Sequence, residues 1–198
     1  ELPVLQITWA RYFFTVVFIF PLMLFFFKKY LVWTDKPKLQ LIRGLILLTA
    51  NISFFYSISV ISLPKALTLA FVAPLVVTAF SPFFLGESVG YRRWAAVIIG
   101  FIGSLVVIRP GFLEINLASL AALGTGIMYG FYLIITRKLS TSDNPLLTLL
   151  LTGVVGAIIA TTFMPFVWVS PTFNQWSIMA AIGLFAVSYT HLTLPTMI

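Results

Sequence analysis

The 198 residues hold no cysteine, one histidine and only five acidic residues. Without cysteine there is no disulfide, no thiol chemistry and no thiolate zinc site, and the redox compartment leaves no mark. The lone His191 leaves imidazole-based metal sites and nucleophile triads short of parts. Charge of either sign is scarce: 9% of residues are charged and 61% hydrophobic, with a mean hydropathy of +1.09, whereas globular domains carry about 25% charged residues. There is no Gly-Lys-Ser phosphate loop, which argues against ATP hydrolysis by this chain. The chain opens on Glu1 rather than Met, and its first apolar run is too long and wrongly flanked for a secretory signal peptide. It therefore reads as a fragment whose start is missing.

What is present is long apolar runs. A bilayer core about 30 Å thick needs roughly 20 mostly apolar residues as a helix. Seven segments approach that length, at about 3–27, 40–62, 65–86, 91–109, 116–137, 145–168 and from about 175 onward. The connectors "KKYLVWTDKPK", "LPK", "GESVGYRR", "RPGFLE", "RKLSTSDNP" and "SPTFNQ" hold nearly all the charge. The chain thus reads as an all-α, multi-pass integral membrane protein whose first partner is the lipid bilayer. Its formal charge of +7 sits in short clusters between apolar runs, which orients membrane helices rather than binding nucleic acid. If the segments alternate across the membrane, Lys28, Lys29, Lys36, Lys38, Arg43, Arg92, Arg93, Arg137 and Lys138 share one side, and Arg11, Lys65 and Arg109 the other. The richer side is cytoplasmic.

Prolines and glycines punctuate these segments. "AFVAPLVVTAFSPFFLGE" carries Pro74 and Pro82 inside an uncharged run; each removes a helical hydrogen bond. In a membrane, neighbouring helices or a water-lined cavity can satisfy the freed groups, and interrupted helices mark substrate paths. A kinked membrane helix is expected there. "GTGIMYG", with Gly124, Gly126 and Gly130, and "GFIG", with Gly100 and Gly103, suit close helix packing, or simply reflect how common glycine is in membrane helices.

No Asp or Glu lies deep in a segment, Glu87 and Glu114 being at helix ends, so a proton relay is not expected here. Arg11 is the one strongly embedded charge. It is either functional or a stem that snorkels to the outer interface beside Trp9. In "NISFFYSIS", Asn51 and Phe55 share a helix face that Ser59 extends; they could hold a polar, planar or zwitterionic metabolite, or serve as interhelical glue. Thr68, Phe71 and Pro74 fall on nearby turns, followed by Thr78. Glu87 is expected to close its helix next to Arg92 and Arg93, with gating by that charge cluster as the second reading. Acidic residues are too scattered for an enzyme site, so no catalytic residue, metal or cofactor is called for.

The stretch "SLPKALTLAFVAPLVVTAFSPFFLGESVGYRRWAAVIIGFIGSLVVIRPG", residues 62–111, resembles the end of an EamA repeat of the drug/metabolite transporter superfamily. The resemblance is carried by Ala66 and Ala70, the mid-helix Pro74, Leu85-Gly86-Glu87, the basic Arg92 and Arg93, and Gly100 with Gly103. "LASLAALGTGIMYGFYLIITRKLS" is similar to the opening helix of the second repeat, with Tyr129 and Tyr132 at its centre. The resemblance implies ten helices in two inverted repeats of five, of which about seven are here. Residues 1–110 would be a first repeat lacking its first helix, and 111–187 a truncated second repeat. "WARYFFTVVFIFP" and "LTGVVGAIIATTFMP" would be corresponding helices, ending near Pro21 and Pro165. The tail 188–198, "SYTHLTLPTMI" from Ser188, resembles a translated adapter and is set aside, the other reading being an ordinary eighth helix.

The resemblance further implies secondary transport of a small organic metabolite by alternating access, in a bacterial inner membrane, with homodimerisation left open. It favours Asn51, Phe55, Phe71, Pro74, Tyr129 and Tyr132 as cavity residues, beside Arg11 and Thr68. Aromatic residues at helical spacing are otherwise plain packing. The alternatives are a small-ion channel or a membrane scaffold.

Overall fold

A computed structural model describes residues 2–26, 34–108 and 116–193. The sequence readings of Lys28, Lys29, Arg109, Glu114 and residues 194–198 lie outside this range, as does the side chain of His191. Among the described residues there are only helices: α1 (Val4–Phe26), α2 (Pro37–Val60), α3 (Leu63–Ala70), α4 (Ala73–Leu85), α5 (Tyr91–Ile108), α6 (Leu117–Leu139), α7 (Pro145–Val167) and α8 (Phe173–Thr193). They occupy the seven apolar segments, with α3 and α4 sharing the third.

Local chemistry explains where the helices begin and end. Asn116 Oδ1 accepts from the Ser119 amide at 2.8 Å to start α6, and Asn144 Oδ1 from the Leu146 amide at 2.9 Å to start α7, whose first residue is Pro145. Both satisfy amides that a helix leaves unpaired. At α8 the Thr172 and Gln175 side chains reciprocally bond each other's amides, a capping box. Gly86 ends α4 in the left-handed region, φ 69°, its N–H donating to the Pro82 carbonyl at 3.2 Å, which is why glycine stands there.

Polarity is distributed opposite to a water-soluble protein. Gln6, Thr8, Gln40, Arg43, Ser57, Thr68, Thr78, Ser81 and Thr152 are buried, whereas Phe25, Phe83, Phe166 and Phe173 are at least 80% exposed. Exposed apolar surface on this scale belongs in lipid. Many buried hydroxyls donate to a carbonyl of their own helix, as Thr15 to Arg11, Thr68 to Pro64 and Ser81 to Val77; hydrocarbon offers no water in exchange. Among the described residues, five stretches are long and apolar enough to cross a membrane: Val4–Phe25, Pro37–Val60, Leu63–Leu85, Leu117–Leu139 and Pro145–Val167. α5 and α8 are not among them; α5 spends its first turn on Arg92 and Arg93.

The chain forms two compact units, Glu1–Leu45 with Leu139–Ile198, and Ile46–Lys138. In the first, α1 packs against α7 and α8. One apolar cluster there joins Trp9, Ala10, Ala160, Met164 and Met179, and another Ile19, Met23, Leu146 and Leu150. α1 and α7 run antiparallel, since Trp9 Nε1 donates to Thr161 Oγ1 at 2.9 Å while Gly156 lies over the Tyr12 ring and Gly153 beside Val16.

In the second unit, α2 and α6 are joined by Ser57 Oγ to the Ala118 carbonyl (2.8 Å) and Thr125 Oγ1 to the Ala50 carbonyl (3.3 Å). This pairing too is antiparallel. α6 runs parallel to α4, because Gly126 meets Ala70 and Val72 whereas Gly130 meets Ala73 and Val76. Gly126 and Gly130 of "GTGIMYG" thus make the close approach their spacing suggested, whereas a Cβ on Gly124 would meet only Met128 of its own helix, at 3.7 Å. The glycines of "GFIG" make no such approach: a Cβ on Gly100 or Gly103 would meet nothing within 4 Å.

Candidate functional site

The third apolar segment changes its helical hydrogen bonding just before Pro74 rather than at it, while the backbone of Phe71 and Val72 stays right-handed, with ψ of −3° and −19°. α3 ends at Ala70, the Phe71 amide donates to the Leu67 and Thr68 carbonyls, the Val72 amide to Leu69, and α4 resumes at Ala73. Pro74 has no N–H, so the Ala70 carbonyl loses the donor that an unbroken helix would supply. Pro82, by contrast, stays inside α4 without interrupting it. α6 packs tightly against this stretch through Gly126, as it does one turn further on through Gly130.

Thr68, Phe71 and Pro74 flank this interruption on successive turns but do not share one environment. Thr68 is fully buried and donates to the Pro64 carbonyl at 2.8 Å. Phe71 is half exposed at the end of α3, and Pro74 is exposed in the first turn of α4. Tyr129 and Tyr132 on α6 stack, with ring centroids 5.5 Å apart and planes inclined at 23°. At 3.6 residues per turn they continue the α6 stripe of Ala118, Ala122 and Thr125 that faces α2. Asn51 and Phe55 are turned away from that interface. Ala50 and Ser57 mark the α2 face that meets α6, and the other two lie about 100° and 140° around the helix. Asn51 Nδ2 donates to the Leu47 carbonyl at 2.8 Å, and Phe55 packs edge-on against Phe54 at 6.4 Å. Arg11 lies in the first unit, half-buried, with its guanidinium carbon 5.9 Å from the Tyr12 ring centroid.

Three polar features differ from the sequence reading. Glu87 bonds across to α6, where Arg137 Nη2 is 2.9 Å from its Oε1; Arg92 instead lies against Tyr91. The pairing joins the ends of two parallel helices, which residue spacing along one chain does not encode. Arg43, counted among the cytoplasmic-side cations at the start of the second segment, is 3% exposed, so Arg11, only half-buried, is not the one embedded charge; Asp143, placed in a connector, is 8% exposed. Arg43 and Asp143 belong to one polar layer. Asp143 Oδ2 accepts from Thr34 Oγ1 and from Gln40 Nε2, the latter at 2.6 Å. Gln40 Nε2 also reaches Thr148 Oγ1 at 3.1 Å, and Arg43 donates to the Thr148 carbonyl at 3.0 Å and to Thr152 Oγ1. The available signal was helical spacing: Gln40 and Arg43 are three apart on α2, Thr148 and Thr152 four apart on α7.

An apolar exterior, buried polar side chains and helices of membrane-crossing length define a polytopic membrane protein. Residues 1–109 match the EamA-like transporter family, and the chain belongs to that family, within the drug/metabolite transporter superfamily. It is 24% identical over 178 residues to an S-adenosylmethionine uptake transporter of Rickettsia bellii, covering 90% of this chain and 61% of the relative. A riboflavin transporter of Vibrio cholerae is 36% identical over 81 residues, 41% of this chain and 27% of the relative. A pseudopaline exporter of Pseudomonas aeruginosa is 24% identical over 149 residues, 73% and 51% of the two chains. The chain thus spans about 60% of the length of the S-adenosylmethionine transporters it matches. No solved structure matches it.

Proposed function

We propose that the protein is a secondary transporter of a small organic metabolite in a bacterial inner membrane. It works without ATP, by alternating access between two inverted five-helix repeats, residues 1–110 and 111–187 contributing to them. The observation that carries this reading is the interruption of α3–α4 at Phe71 and Val72 in a chain of the EamA-like family. Breaks of this kind place unpaired backbone groups beside a substrate path. The antiparallel packing of α1 on α7 supports the inverted repeat, since the sequence pairs these two as corresponding helices. In this reading all seven apolar segments cross the membrane, the basic connectors facing the cytoplasm. Relatives named for S-adenosylmethionine, riboflavin and pseudopaline support a cargo of that size class.

Thr68, Phe71, Pro74, Tyr129 and Tyr132 are the residues proposed to line the path in the second unit, together with Asn51 and Phe55; Arg11 would act from the first. The rings supply stacking surface for a planar group, and the amide and hydroxyl fix its polar edge. The test is uptake into vesicles carrying the full-length protein. Saturable, competable flux of an organic solute is expected, whereas unsaturable current would refute transport in favour of a channel. Asn51→Ala is expected to lower uptake more than membrane abundance; equal losses would reduce Asn51 to packing.

A further inference from the structure

The Thr34, Gln40, Arg43, Asp143, Thr148 and Thr152 layer lies entirely within the first unit and ties the first turns of α2 to the connector before α7 and to that helix's first half. Directly beyond it, Gly44 meets Val155 so closely that a Cβ would lie 2.8 Å from Val155 Cγ1. Among the described residues, the buried Gln40 Oε1 has no hydrogen-bond partner. A layer built only for stability would do as well with apolar side chains of the same volume. An orphaned buried acceptor also raises the free energy of this closed arrangement. Hydration reverses the balance: water replaces each of these hydrogen bonds at small net cost and gives Gln40 Oε1 its missing donor. Side chains that bond equally well to one another and to water suit an interface that must both close and open.

We infer that this layer is the latch of the cytoplasmic closure, with Asp143 as its central acceptor and Thr34, Gln40 and Arg43 as positioning residues. α2 and α7 part here, and water enters, when the protein opens inward. The inference rests on the alternating access and orientation proposed above. It concerns residues outside the proposed substrate path.

The chain contains no cysteine, so Val155→Cys is a clean reporter. Its labelling by a membrane-impermeant maleimide is followed in inside-out vesicles without substrate. Asp143→Ala, which removes the acceptor of two hydrogen bonds, is expected to raise the labelling rate about tenfold. Thr34→Val should raise it by a smaller factor. An Ala122→Cys reporter, in the second unit, should be unaffected. Unchanged Val155→Cys labelling in both variants overturns the latch, as does a rise seen only from the outer face. If Ala122→Cys labelling rises as well, Asp143→Ala has loosened the whole fold and Thr34→Val decides instead. Because no substrate is present, failure of uptake would sink the transport proposal and leave this result standing.

Discussion

Replacing Gly126 and Gly100 by alanine, one at a time, separates close helix packing from intrinsic helix preference. Both glycines are mid-helix, in α6 and α5, so the gain from alanine's better propensity, about 1 kcal/mol in water, applies to both and cancels in their difference. What differs is the space. At Gly126 the new Cβ would lie 2.6 Å from Val72 Cγ1, 2.7 Å from the Ala70 carbonyl oxygen and 3.0 Å from Ala70 Cα. Two of these three atoms are backbone, and they belong to the break itself, so no rotamer change relieves them; α6 must move away from α3–α4. Overpacking of this kind costs about 1–3 kcal/mol. At Gly100 nothing lies within 4 Å, so alanine should be neutral or stabilising. For a chain of this length 1 kcal/mol corresponds to about 2–4 °C in Tm, so Gly126→Ala should melt roughly 2–12 °C below Gly100→Ala. Thermal unfolding of both variants in the same detergent measures this. Equal melting temperatures would refute the close approach of α6 to the break.

Gly86→Ala should destabilise by about 1 kcal/mol because φ is 69° there, and Gly86→Asn by less, as asparagine tolerates the left-handed region; melting curves rank the three. The half-exposed Glu87–Arg137 pair should contribute less than about 1 kcal/mol, so Glu87→Gln is expected to leave Tm nearly unchanged and a clear drop would show a larger role. Trp9→Phe, which breaks the bond to Thr161, should cost about 1 kcal/mol, and a double-mutant cycle with Thr161→Val should recover most of it as coupling; zero coupling would remove that contact from the account.

Helix positions were legible because hydropathy and cap residues act within a few residues of one another. The stop at Gly86 after Leu85 is one end that the structure keeps, whereas the caps at Asn144 and at Thr172 with Gln175 emerged only from the structure. The importance of Pro74 was also readable, since a missing N–H is a property of the residue itself. Its consequence was displaced: the helical hydrogen bonding is interrupted at Phe71 and Val72, beside the Ala70 carbonyl to which Pro74 has no N–H to give and which Gly126 of α6 approaches. Of the candidate site, only neighbourhood along single helices was legible: Tyr129 and Tyr132 stack one turn apart on α6, and Asn51 and Phe55 share a helix face, as their spacing requires, but not the face that meets α6; that these side chains line one path is the proposal made above.

The amino-acid sequence alone determined that this is a helical membrane protein, where its apolar segments lie and which family it belongs to, because burial in lipid constrains every residue of a spanning helix independently of its neighbours in space. Only the tertiary structure decided which helices touch. It set Gly126 rather than Gly100 in a tight crossing, gave Glu87 to Arg137, and drew Arg43 and Asp143 out of the count of surface charges into a buried layer. Those outcomes depend on contacts between residues dozens to a hundred positions apart, and the local pattern around each residue carries no record of its distant partner.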